Sequence, residues 1–175
     1  MFRRSHTSIL AALVAVTAIA FPPVQESAKA GVRLRIEIDT TPNSPDDQIA
    51  EQRFEKYERD VAALLDTTGT RLERLIADTE RRLIELRDRG NSRSRLMKVV
   101  SGARKDAGSI TKSAQAQLNR LAGTAFIDLR RMDAKKSLVD AVHALRRSAS
   151  GDMAVLKSET IAALDELVTR VIGPA

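Results

Sequence analysis

The side chains able to do covalent or acid–base chemistry are few, and their spacing does not converge. Cysteine is absent and the histidines number two, His6 and His143. Thiol chemistry and a His-rich metal centre are therefore disfavoured. Asp46–Asp47 and Asp165–Glu166 are adjacent carboxylates. Neighbours on a helix do not face each other, so these read as solvated charges and not as an acid/base couple. Asp46 and Asp47 are better explained as helix-start residues at the positive end of the dipole. His143 lies beside Val142 and near Leu145 with no visible partner, which suits a buried or boundary position rather than a catalytic one. There is no Gly-rich phosphate loop, HExxH, CxxC or nucleophile elbow. The expectation is a non-enzyme with no catalytic residue, no cofactor and no metal.

What the sequence does offer is an uneven distribution of charge. Residues 45–89 hold nine bases and twelve acids, 90–150 thirteen and four, and 151–175 two and four. The mild acidity of the flanks cannot neutralise the middle segment. A residual basic surface is expected there, with Arg93, Arg95, Lys98, Arg104, Lys105, Arg130, Arg131, Lys135, Lys136, Arg146 and Arg147 as its candidates.

The elements that must position these bases read as helices. In Thr70–Ser92, residues Leu72, Leu75, Ile76, Thr79, Leu83 and Leu86 line one face at three-four spacing. Thr70 with Glu73 matches a capping box. Asp78→Arg82 and Glu85→Arg89 place an acid four residues before a base. Gly90 and Asn91 supply a left-handed cap, with Ser92 able to cap the next helix. Upstream, Ser44-Pro45-Asp46-Asp47 is a strong helix start. The apolar face from Ile49 to Leu72 then favours one continuous or kinked helix over 45–89. A second helix is expected over 92–149, its Ala-rich face running from Leu96 to Leu145. Ser148-Ala149-Ser150-Gly151 reads as the next break. Asp152 would cap a third helix over 152–172, stopped by Gly173-Pro174. The fold expected is all-α: an elongated antiparallel helical hairpin, bundle or coiled coil. Its core would be Leu, Ile, Val and Ala, since aromatics are 3% of the chain.

Residues 1–30 read as a cleaved signal peptide. Arg3 and Arg4 precede an apolar run, Ile9 to Phe21, that is short for a membrane span. Ala28-Lys29-Ala30 is an A-x-A site, placing cleavage before Gly31. No other stretch is apolar enough to cross a bilayer. Residues 31–44 read as an extended arm and linker. Val32, Leu34, Ile36 and Ile38 alternate with Arg33, Arg35, Glu37 and Asp39, a strand-like period of two. Such an arm needs a partner for its backbone: a copy of itself, another protein or the helices.

These features resemble, in organisation, the Skp-type periplasmic chaperones, which also combine a signal peptide, an N-terminal strand and long basic helices. The resemblance implies an exported scaffold that holds a client. It departs where the C-terminus here is helical and offers no strand to a β-body. The alternative is similarity to exchangeable apolipoproteins, whose amphipathic helices open onto anionic lipid. Expected partners are a protein or a second copy, or an anionic lipid or glycan outside the cytoplasm. An export signal and scarce aromatics disfavour nucleic acid.

Overall fold

A computed structural model describes residues 45–173, and all of them but two inter-helix turns, 89–92 and 132–135, and the C-terminal turn fall into three helices. The expected signal peptide, strand-like arm, linker and Ser44 cap lie outside the described residues. Helix α1 spans Pro45–Asp88, α2 spans Arg93–Arg131 and α3 spans Lys136–Leu167, running on into a π-helical turn at Val168–Ile172. There is no strand among the described residues, which are all-α.

Helix α1 starts as its sequence dictates, with Pro45 in the first turn beside Asp46 and Asp47. It continues unbroken for 44 residues, roughly 66 Å at 1.5 Å per residue. The capping box expected at Thr70–Glu73 does not form, because both residues lie inside the helix. Packing overrides the local signal here. Thr68 and Leu72 are buried on either side of Gly69, and the Thr68 hydroxyl donates to the Leu64 carbonyl at 2.7 Å.

The first turn falls where glycine allows it. Gly90 has φ +70°, its N–H donates to Arg87 O at 2.8 Å, and Asn91 N–H donates to Leu86 O at 3.1 Å. That pair of bonds is a Schellman cap. Ser92 precedes α2 as expected, but its hydroxyl makes no capping bond.

The second turn corrects the expected helices 92–149 and 152–172. The break is at residues 132–135, and α3 passes straight through Ser148–Gly151. Asp133 takes φ +48°, and its N–H donates to Arg130 O at 3.2 Å while Ala134 N–H donates to Leu129 O at 3.0 Å. This repeats the bonding of the Gly90 cap, with aspartate in the left-handed position that Asp tolerates better than most residues. The apolar phase requires it. Leu129 and Leu138 are both buried yet nine residues apart, two and a half turns, so one straight helix would put them on opposite faces. Across Gly151 the phase is uninterrupted: Leu145, Ala149 and Met153 are all buried. Asp152, expected to cap a helix, lies half-buried in the interior of α3, where burial raises its carboxyl above the usual range.

The helices run up, down and up. Phe126 stacks on His143 (ring centroids 4.3 Å apart), Asn119 bonds Arg146, Gln115 bonds Ser150 and Arg104 pairs with Asp165. Falling numbers on α2 meet rising numbers on α3, the mark of an antiparallel pair. Asp47–Lys135 and Glu80–Arg170 bind the two ends of α1 to the α3 side.

The core has two apolar parts. The larger includes Phe54, Tyr57 and Val61 of α1, Leu118, Ala122 and Leu129 of α2, and Leu138, Val142 and Met153 of α3. The smaller, at the Gly90 end, holds Leu83, Leu96, Val100, Ala103, Leu164, Leu167 and Val171. Between them in sequence on each helix come Thr68, Leu72, Ala107, Thr111 and Thr160, all buried. The threonine hydroxyls there donate to carbonyls of their own helices at 2.7–3.1 Å. Burying these hydroxyls therefore leaves no donor unmet.

Candidate functional site

The corrected turn relocates the positive charge. Helix α2 carries Arg93, Arg95, Lys98, Arg104, Lys105, Lys112, Arg120, Arg130 and Arg131 against only Asp106 and Asp128. Helix α1 has eight bases and twelve acids, and residues 136–172 have five of each. The excess belongs to one helix.

A simple rule of phase assigns each α2 residue to a side. Positions just after a buried residue face α3. Asn119 follows Leu118 and bonds Arg146; Gln115 follows Ala114 and bonds Ser150; Phe126 follows Ala125 and stacks on His143. Positions just before a buried residue face α1. Thr124 and Asp128, which precede Ala125 and Leu129, line a shallow depression of about 170 Å³ together with Arg53, Lys56 and Asp60 of α1. Residues two places from a buried neighbour on both sides point straight outward, since two steps turn a helix by about 200°.

Applied to the charges, the rule separates signs. Lys98 stands between Leu96 and Val100 and Lys105 between Ala103 and Ala107, so both point outward, whereas Arg120, between Leu118 and Ala122, leans towards α1 and lines a second depression with Asp60, Leu64 and Thr67. Arg131, two residues beyond Leu129 at the end of α2, is exposed as well. Arg104, Lys112 and Arg130 each follow a buried residue and sit on the α3 shoulder. Both acids of α2, Asp106 and Asp128, precede buried residues and sit on the α1 shoulder. The outer crest of α2 and its α3 shoulder thus bear bases and no acid.

The expected surface residues do not all join this crest. Lys135 is half-buried and pairs with Asp47 at 3.4 Å, tying the second turn to α1. Arg93 donates to the Gly173 carbonyl at 3.3 Å, Arg95 to Asn91 at 3.0 Å and Arg146 to Asn119 at 3.1 Å, while Arg104 pairs with Asp165. These five are engaged within the fold. Lys98, Lys105, Arg130 and Arg131 are exposed on α2, and Lys136 and Arg147 are exposed on α3. Three further bases belong with them and were not singled out from sequence: Lys112, Arg120 and Lys157, all exposed. Lys98, Lys105 and Lys112 recur every seven residues, the spacing that could have revealed the first.

Beneath the α2–α3 contact, Tyr57 is 4% exposed, and its hydroxyl has no hydrogen-bond partner among the described residues. Burial pushes its pKa up to about 12, opposed in part by the Arg146 guanidinium. Among the described residues, no group of three or more His, Cys, Asp or Glu is placed to hold a metal ion. No helix among them is long and apolar enough to cross a membrane.

A scan of protein-family models and searches of curated proteins and solved structures return no match. The functional reading therefore rests on the helices and their charge.

Proposed function

We propose that this chain is an exported, non-catalytic helical binding or scaffold protein of the cell envelope, chaperone-like in holding a partner, that presents a basic helical surface to an anionic or protein partner. The observation that supports it most directly is the sorting of charge on α2. Its outward crest and α3 shoulder bear only bases, while its two acids face α1. Neutralising contacts inside the fold would have placed acids opposite those bases. Instead, Lys98, Lys105, Lys112, Arg120, Arg130 and Arg131 are all exposed to solvent, at the cost of mutual repulsion that a partner would relieve.

Affinity capture from the envelope fraction tests this reading. The parent chain should retain a partner that salt elutes, and a variant with Lys98, Lys105 and Lys112 changed to Gln should lose it. Identical capture by both chains would sink the proposal. Export is tested separately by sequencing the N-terminus of the secreted product, where a start at Gly31 is expected.

A second reading, an amphipathic-helix protein that opens onto anionic lipid, draws support from the divided core. Two apolar clusters joined through a middle rich in threonine and alanine could part more readily than one continuous leucine core.

A further inference from the structure

We infer that the partner of the α2 crest is an anionic lipid bilayer, met side-on by the closed three-helix bundle; this rests on the binding-surface reading above. The first argument is shape. Lys98 and Lys105 lie on the outward line of α2, with Lys112 and Arg130 one step to the α3 side, Arg120 to the α1 side, and Arg131 at the helix end. From Lys98 to Arg131 these bases span roughly 50 Å at 1.5 Å per residue. A convex crest touches a plane along its whole length, whereas small anions and flexible chains are held by concave sites with converging donors. The two shallow depressions between α1 and α2 mix signs: one sets Arg53 and Lys56 beside Asp60 and Asp128, and the other sets Arg120 beside Asp60.

The second argument is reach. The outward positions between the bases include Ser109 and Ala116, each midway between buried neighbours. Such short side chains leave the lysine and arginine head groups furthest from the helix axis. All of them can approach a charged plane within a Debye length of about 8 Å at physiological salt.

The third argument concerns what the crest lacks. The exposed large aliphatics among the described residues are Ile49, Ile84, Ile127 and Val155, on three different helices. Only Ile127 falls on the crest, between Ala125 and Leu129. One isoleucine does not make the apolar face that an inserted amphipathic helix requires. Contact is therefore electrostatic, superficial and reversible, and the bundle stays closed.

Vesicle sedimentation of the whole protein tests this, with 30% phosphatidylglycerol in phosphatidylcholine against phosphatidylcholine alone. The parent should bind only the anionic vesicles, and 0.5 M salt should release it. K98Q/K105Q/K112Q should bind about 100-fold more weakly, roughly fivefold per lysine. R120Q/R131Q should lose about 25-fold on the same scale. R71Q/R74Q/R82Q removes as much charge from exposed positions of α1 and should change binding by less than about threefold. All variants carry the same N-terminal segment, so its contribution cancels, and circular dichroism checks their helicity. Equal binding by the parent and both crest variants overturns the inference, as does retention in 0.5 M salt, which signals inserted helices. Polyphosphate or heparin binding without vesicle binding overturns the lipid assignment and leaves the binding-surface reading standing. Binding to none of these probes overturns the lipid inference and the anionic-partner half of the reading above, and envelope capture then decides the protein-partner half.

Discussion

Replacing Gly151 by Ala should stabilise the protein, although Ser148-Ala149-Ser150-Gly151 has the composition of a loop. Gly151 lies in the interior of α3, is exposed, and a Cβ built there meets nothing within 4 Å. The substitution therefore brings no clash, and only the helical preference changes. Alanine is favoured over glycine by about 0.8–1.0 kcal/mol at an exposed helix interior. For a domain of this size, that is a rise in Tm of about 3–4 °C. Gly90→Ala provides the opposite sign within the same molecule. Gly90 has φ +70°, where a Cβ costs about 1–2 kcal/mol although space around it is open. Thermal melts followed by far-UV circular dichroism, with urea titrations for ΔG, should show G151A above the parent and G90A below it. A loss of stability in G151A would mean that residue 151 needs a glycine backbone. The chain would then turn there, and the path of α3 through Ser148–Gly151 would be wrong.

Other consequences follow from the turns and the core. Asp133→Gly should raise stability by up to about 1 kcal/mol, because Asp133 holds φ +48°, whereas Asp133→Val should lower it by at least as much; urea midpoints decide. Tyr57→Phe removes a buried hydroxyl without a partner among the described residues and should stabilise by about 1 kcal/mol. The same substitution should alter the alkaline limb of stability. Tyr57 has a folded pKa of about 12 against about 10 unfolded, so the folded chain holds the proton more tightly. Its contribution is complete below pH 10 and is lost as pH rises towards 12, a loss that Y57F should lack when urea midpoints are compared across that range. Leu118→Ala should cost about 2–5 kcal/mol, since Leu118 is fully buried in the larger apolar cluster, and a loss under 1 kcal/mol by urea titration would contradict its placement.

The sequence by itself determined the helical class, one of the two turns and which segment is basic. Helical class was legible because apolar residues recur at three-four spacing over most of 49–172 and the core side chains are aliphatic. The first turn was legible because Gly90 is the residue type that takes positive φ without cost. Tertiary structure decided the rest. Gly69 and Gly151 each carry a local preference of only about 1 kcal/mol, and burial of Thr68 and Leu72, or of Ala149 and Met153, outweighs it. Asp133 signals a turn only weakly by residue type, as do many aspartates in this chain, and its role emerges only when Leu129 and Leu138 must face the same core. The basic segment was visible as a count of charges, but a count has no direction. Which bases are spent on Asp47, Asp165, Asn119 and the Gly173 carbonyl, and which form an acid-free crest on α2, depends on the neighbours that packing supplies.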